Sequence, residues 1–321
     1  MSPTAMAGDW IIGLDIGGTK TAVVAGDLRG AVVHREQFAT EPGRGFDSAY
    51  SRMLESMARV ISRMRTGPCA VSVSVGGPLD VLRGIIKSPP NLPGWTDIPL
   101  KEMLSRSFQI PVFVEHDGNA GALAEWHFGA GKGFRNVVFV TMGTGLGAGL
   151  ILDGKLFRGT NDVAGEIGHI RIAEDGPECY GKSGSLEGYG SGTGIAHLAR
   201  MMYPSLWGER ATVIDLHEAF RGGSREAALV FARAATGLGR GLAVVADILN
   251  PERIILGGLG MRLEEALVAP ARTVFEAESL PEARSVCRIV PAALGENIGD
   301  VAALCAAYDQ GSLLLPENGL S

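Results

Sequence analysis

Trp10-Ile11-Ile12-Gly13-Leu14-Asp15-Ile16-Gly17-Gly18-Thr19-Lys20 is the stretch on which the fold turns. Trp10 to Asp15 reads as an apolar strand, Gly17 and Gly18 as a turn, Thr21 to Ala25 as a second strand and Ala31 to Phe38 as a third. The same pattern recurs in the middle of the chain. Val137 to Thr141 is a strand, Gly143-Thr144-Gly145-Leu146-Gly147 a glycine turn, and Ala148 to Leu152 a strand that turns at Asp153-Gly154 into Lys155 to Arg158. Two similar meanders in two halves, each followed by mixed helical and strand patterns, predict layered α/β structure in two lobes.

Between the meanders the periodicity predicts a helix near residues 48–64, a strand at Ala70 to Val75, a Pro- and Gly-rich loop over 76–99, a short helix near 100–107, a strand at Val112 to Glu115 and a helix near 119–128. Beyond the second meander come a glycine-rich stretch (Gly181 to Gly194), helical patterns through 211–248, the strand Arg253 to Leu256, and helices near 263–279 and 300–309.

The chemistry sits at the turns. In the first, two glycines let backbone N–H groups face a phosphate, Thr19 adds a hydroxyl, Lys20 a charge, and Asp15 is suited to hold a hydrated Mg²⁺. A bare hairpin turn would explain the glycines alone. Repetition of the device at Gly143, Thr144 and Gly145 favours two glycine hairpins clamping one polyphosphate. Glu115-His116-Asp117-Gly118-Asn119 ends a strand and opens a helix. A carboxylate there either caps the helix or accepts a proton from a sugar hydroxyl attacking a γ-phosphate. Gly165-Glu166-Ile167-Gly168-His169, with Glu187 downstream, offers carboxylates and an imidazole for directional recognition of sugar hydroxyls, although a lone His is more often structural. Pro251 to Gly258 is a strand running into a Gly-Gly turn with room for a flat nucleoside. Gly176 to Ser183 fits the P-loop expression G-x-x-x-x-G-K-[ST], but a P-loop needs a buried strand before it and a helix directly after it, and the glycines following Ser183 argue against the helix.

Composition narrows the function classes. The 321 residues are 46% hydrophobic and 20% charged, as in a soluble globular protein. The 46 glycines are about twice the usual share and cluster in the turns. A net charge of −6 with scattered Lys and Arg disfavours nucleic acid as a partner. The first ten residues show no secretory signal, and the longest apolar run, Val137 to Leu152, is broken by glycines, so a cytoplasmic protein with no membrane attachment is expected. The four cysteines are widely spaced and are expected to be reduced thiols.

Taken in order, these motifs resemble the ROK family of repressors, open reading frames and sugar kinases, from Ile12 to about Tyr308. The resemblance implies a two-lobed, actin-like ATPase (ribonuclease H-like) fold with the active site in the interlobe cleft: a small lobe over 1–118, a large lobe over 119–298, and a last helix near 299–312 returning to the first lobe. It implies that Asp15, Gly17, Gly18, Thr19 and Lys20 bind ATP phosphates together with Gly143, Thr144 and Gly145, and that Gly257 and Gly258 lie against adenosine. It implies Asp117 as the catalytic base, with Gly77, Asn91, His116, Glu166, His169 and Glu187 around the sugar, and a homodimer. The expected activity is transfer from MgATP to a hexose hydroxyl, O6 of a glucose-like sugar; N-acetylmannosamine, N-acetylglucosamine or fructose are the alternative acceptors, and a non-catalytic sugar sensor the alternative role. A repressor needs a DNA-reading module, for which the few residues before Trp10 are too short.

Two departures stand out. The family usually places Asn where this chain has His116. Members also commonly hold a structural zinc through a His and a C-x-C-G-x-x-G-C-x-E segment; aligned on Gly181, Gly184 and Glu187, the cysteine positions here are Glu178, Tyr180 and Ser185, and Cys179 is one position off. No structural zinc is expected, because a closed zinc site needs four ligands.

Overall fold

β1 (Trp10–Ile16), β2 (Lys20–Asp27) and β3 (Val32–Ala39) form the expected first meander, antiparallel throughout. α1 (Phe46–Ser62) then leads to β4 (Ala70–Val75), which lies parallel to β1. The loop over 76–99 carries a small hairpin, β5 (Leu79–Asp80) with β6 (Ile85–Ile86). α2 (Leu100–Phe108) precedes β7 (Val112–His116), parallel to β4, and α3 (Asp117–Phe128) follows directly. In this computed structural model, which describes residues 8–310, the sheet order is β3-β2-β1-β4-β7. Strand alternation divides its faces. Trp10, Ile12, Leu14 and Ile16 pack with Met53, Met57 and Val60 of α1 and with Leu100 and Leu104 of α2.

The second half repeats the plan. β8 (Val137–Met142), β9 (Leu146–Leu152) and β10 (Lys155–Phe157) are an antiparallel meander, and β13 (Arg253–Leu256) and β14 (Arg288–Pro291) add to it in parallel, giving β10-β9-β8-β13-β14. The two sheets therefore correspond strand for strand. Between β10 and β13 lie the hairpin β11 (Glu178–Cys179) and β12 (Lys182–Ser183), then α4 (Leu186–Gly190), α5 (Gly192–Met202), α6 (Val213–Arg221) and α7 (Arg225–Leu249). α8 (Leu259–Arg262), a π-helical turn, α9 (Ala269–Glu278) and α10 (Pro281–Val286) separate β13 from β14. α11 (Ile298–Gln310) ends the described chain and packs on the first sheet, contacting β1, β4 and α3. A Cβ on Gly13 would stand 3.0 Å from Ala303 of α11 and one on Gly26 only 2.2 Å from Leu304, so these glycines admit the helix to the sheet's second face.

By contacts the chain divides into one unit of residues up to Phe128, Arg158–Ala164 and Glu296 onward, and another of Gly129–Phe157 and Gly165–Gly295. The first division falls after Phe128 rather than after residue 118 because α3 packs against α11, β7 and β4. Besides the two small hairpins, four elements were not foreseen. The short strand β14 and helix α10 carry weak patterns. The glycine-rich stretch over 181–194 forms two helices, because Ser185 and Ser191 cap them: their hydroxyls accept the Gly188 and Gly194 N–H groups at 3.4 and 3.0 Å. α7 is the one helix among the described residues long and apolar enough to cross a bilayer, but 61% of its most apolar window is buried inside the protein. Gly237, Gly239 and Gly241 let Tyr189, Val274 and Leu186 pack onto its backbone.

Candidate active site

In the first unit the residues singled out around Asp15 and Asp117 converge. Asp15 leaves β1 on the face covered by α11, and its Oδ2 lies 2.6 Å from where a Gly299 Cβ would be. Burial, then the neighbouring Asp117 and Asp300 carboxylates, push Asp15 up to about 7, against the pull of Lys20 and a hydrogen bond with Ser74. The adjoining turn is braced from two sides. The Gly17 carbonyl accepts the Thr40 hydroxyl at 2.6 Å, Thr40 N–H donates to the Thr19 carbonyl at 3.0 Å, and a Cβ on Gly18 would fall 2.4 Å from the Asn91 carbonyl oxygen. Lys20 is exposed at the start of β2.

β4 ends on a second glycine pair. A Cβ on Gly76 would lie 3.3 Å from the Asn91 amide and 3.7 Å from Asp117 Oδ2; one on Gly77 would meet the His116 ring at 2.7 Å. Gly77, Asn91, His116 and Asp117 thus surround one spot. Asp117 opens α3 with its side chain 50% exposed, and Oδ1 accepts the Gly118 N–H at 2.7 Å. Oδ2 takes no hydrogen bond among the described residues and is the oxygen nearest Gly76. His116 Nδ1 lies 3.3 Å from Asp117 Oδ1 and accepts the Gly118 N–H at 3.3 Å.

Behind this spot stands a group that sequence reasoning missed. Glu115 is fully buried and ionically paired. Its Oε1 accepts the His116 N–H and the Asn119 amide, both at 3.0 Å; its Oε2 accepts Arg158 Nε at 3.0 Å and Nη2 at 2.6 Å, and Gln310 Nε2 at 3.3 Å. Arg158 also bridges to Asp309. The chain after β10 and the end of α11 therefore clamp the strand end that presents His116 and Asp117. A buried carboxylate needs this pairing, since an unpaired charge in the interior is strongly disfavoured.

The second unit assembles the remaining residues in two groups. Gly165 and Gly168 hug β9: Cβ atoms there would fall 2.1 Å from the Ala148 carbonyl oxygen and 2.3 Å from that of Leu146. Their role is close packing, and it presents Glu166 and His169 at the surface. Glu187, on α4, accepts the Leu146 N–H at 2.9 Å and the Tyr180 hydroxyl at 2.6 Å, both through Oε2. The Tyr180 ring stacks on His169 with centroids 3.4 Å apart and 23° between planes. Of the residues at the cysteine positions, Tyr180 fills the space beside His169, Ser185 caps α4, and Glu178 pairs through its backbone in β11. The hairpin over Gly176 to Ser183 places Lys182 in β12. Although α4 follows soon after, Gly176 to Ser183 is not a phosphate loop.

The second group lines a cavity of about 740 Å³, a size that accommodates a nucleoside. Met142, Gly143 and Thr144 of the second glycine turn border it, with Gly192 and Gly258. Gly258 has φ +58°, and a Cβ there would lie 2.2 Å from the Met142 carbonyl oxygen, so only glycine fits. Gly257 lies behind the lining, where a Cβ would meet the Phe139 ring at 2.7 Å. Gly145 borders the Glu187 carboxylate instead. The four cysteines are free thiols.

The ROK family profile matches residues 11–309. This chain belongs to the ROK family. It is 31% identical to the glucokinase of Halalkalibacterium halodurans over 92% of this chain and 93% of that protein. It is 27% identical to the xylose repressor of Caldicellulosiruptor bescii, over 84% of this chain and 70% of the repressor. Among solved structures, the ROK glucokinase of Streptomyces griseus in complex with glucose and AMPPNP matches with a TM-score of 0.75 at 33% identity, over 92% of this chain and 98% of that one. The ROK hexokinase of Thermus thermophilus matches at 0.79 and 29%, over 94% and 99%. The two matching five-stranded sheets are those of the actin-like ATPase fold that the family resemblance implies.

Proposed function

We propose that this chain transfers the γ-phosphoryl group of ATP to O6 of a hexopyranose, with Asp117 as the general base. The protein is an ATP-dependent sugar kinase of the ROK family. Its likeness to glucokinases, one of them solved with glucose and an ATP analogue, supports that class of reaction. The observation that carries the residue assignment is the half-exposed Asp117 carboxylate: Oδ1 is anchored by the Gly118 N–H, while Oδ2 has no partner among the described residues and stands beside Gly76 and Asn91. A base must reach the hydroxyl proton within hydrogen-bond distance, and an anchored carboxylate with a free oxygen meets that need.

Asn91, His116, Glu166, His169 and Glu187 hold the sugar in this reading, orienting the attacking hydroxyl towards the phosphoryl group. Backbone N–H groups of Gly17, Gly18 and Thr19, with Gly143, Thr144 and Gly145, receive the phosphates, and Lys20 adds charge. The adenosine moiety occupies the cavity beside Gly258. Asp15 supplies a hard oxygen donor of the kind Mg²⁺ prefers, suited to hold a hydrated Mg²⁺ carried on the nucleotide; the neighbouring Asp300 carboxylate is taken by Arg35. When bound, Mg²⁺ neutralises charge on the transferring phosphoryl group. Asp15, at about 7 in the free protein, would release its proton to face it. The enzyme works in this reading as a cytoplasmic homodimer.

His116 at an acceptor-facing position makes N-acetylmannosamine, N-acetylglucosamine and fructose the competing acceptors. A coupled ADP-release assay with MgATP across hexoses and N-acetylhexosamines decides among them. Turnover on one sugar is expected, and Asp117→Asn should lower it by about 10⁴-fold or more while sparing sugar binding. Substantial residual turnover in that variant would remove Asp117 from the base role, and silence of the unaltered enzyme across the panel would favour a sugar sensor.

A further inference from the structure

The hairpin joining β11 to β12 is a two-residue turn, Tyr180-Gly181, with φ +55° and +68°. Two successive positive φ values define the hairpin turn that Asn-Gly fills most readily, because a bulky side chain at its first position is strained. An aromatic residue held there needs a compensating role for its side chain. Tyr180 has two specific contacts: its ring on His169 and its hydroxyl on Glu187 Oε2. Glu187 Oε2 also accepts the Leu146 N–H beside the second glycine turn. With Oε2 doubly bonded, Oε1, which has no partner among the described residues, is left for another hydroxyl. Burial and the Glu187 carboxylate hold the phenol well above its ordinary range, so it remains a donor at any working pH.

From this geometry we infer that Tyr180 is a positioning residue for sugar recognition: its ring fixes the plane of the His169 imidazole, and its hydroxyl fixes the Glu187 carboxylate. The inference rests on the proposed sugar-kinase reading, in which His169 and Glu187 contact the acceptor. Tyr180 does not line the nucleotide cavity, so its loss falls on sugar affinity. The backbone it strains makes the role separable from stability. A residue serving only the fold would lower stability when replaced; a positioning residue in an unfavourable turn would not.

Two substitutions test this. Tyr180→Phe keeps the stack and removes the bond to Glu187; Tyr180→Asn removes both and relieves the turn. Tyr180→Phe is expected to raise the sugar KM about tenfold, the size of one lost hydrogen bond to a charged acceptor. Tyr180→Asn should raise it further, to roughly a hundredfold, as both contacts go. The ATP KM should stay within about twofold in both variants, and the Tm of Tyr180→Asn should be unchanged or higher. An unchanged sugar KM in both variants, or a Tm drop in Tyr180→Asn with sugar and ATP KM shifting together, would overturn the inference while leaving the kinase reading intact. Absence of turnover in the unaltered enzyme on every sugar would overturn both.

Discussion

The two glycine turns are built on the same backbone plan and differ in charge. In each, an apolar strand enters a short glycine loop and returns antiparallel, and the fourth strand of each sheet ends on a glycine pair, Gly76-Gly77 after β4 and Gly257-Gly258 after β13. Yet the first turn follows Asp15 and leads into Lys20, whereas the second follows Thr141 and leads into Leu146. The first turn owns its charges; the second borrows one, the Glu187 carboxylate bonded to the Leu146 N–H. The glycine pairs diverge likewise. Gly76-Gly77 gives room to Asn91, His116 and Asp117, and Gly257-Gly258 packs against β8 beside a cavity. In the proposed reading, a duplicated frame thus carries acid–base work in one copy and nucleotide accommodation in the other.

This contrast is open to direct attack. The largest effect is expected at the position where the turns differ most. Asp15→Asn should lower kcat by roughly 10²- to 10³-fold, the size seen when one charge-stabilising group is lost from a transition state. Thr141→Val, its counterpart, should stay within about threefold. Comparable losses in steady-state assays of the two variants would mean that the second turn is as chemically active as the first.

Next come the glycines. In Gly18→Ala the new methyl would press on the Asn91 backbone at 2.4 Å, and a displaced loop should raise the sugar KM by about tenfold. In Gly145→Ala the obstacle at 2.9 Å is the end of the Glu187 side chain, which can swing aside, so about threefold is expected. Reversal of that order would show the first turn to be the more adaptable.

The smallest effect separates the turns by protons. With Asp15 at about 7, roughly half of the molecules carry a proton there at pH 7, and MgATP should displace it. Calorimetry in buffers of different ionisation heat should therefore report release of about half a proton at pH 7 and almost none at pH 9. The same carboxyl links to stability. Its folded pKa is raised above the unfolded 3.8, so its favourable contribution is complete below pH 3.8 and lost as pH rises through 7. Asp15→Asn should consequently raise the Tm of the nucleotide-free protein at pH 8 by about 2–4 °C, with little change at pH 4. A lower Tm at pH 8 would place Asp15 among groups that the fold itself depends on.

Much of this frame was legible because glycine turns and short apolar strands are local signals. Trp10 to Asp15, Val137 to Thr141, Ala70 to Val75 and Arg253 to Leu256 lie where the alternation and flanking glycines put them. Local signals also marked the end of β7 as a place for chemistry. The partners that hold it were hidden: Arg158 and Gln310 reach Glu115 from distant points of the chain, with Asp309 bracing Arg158, and nothing in the pattern around any of them singles it out. Ser185 and Ser191 were masked by the glycines around them, which lower helix propensity everywhere except next to a good cap. Tyr180 was noted for what it replaces; the stack on His169 needs the hairpin's three-dimensional course.

The last helix has a consequence for how the protein is made. Gly13 and Gly26 are shaped to receive α11, and Glu115 depends on Gln310 and, through Arg158, on Asp309. During synthesis β1 to β7 leave the ribosome before residues 117–297 have been added, a delay on the order of ten to forty seconds at ordinary translation speeds. Throughout that interval one face of the first sheet lacks its cover. The nascent chain is therefore most exposed to aggregation and to chaperones in the part already made, and the first unit closes only once α11 has emerged.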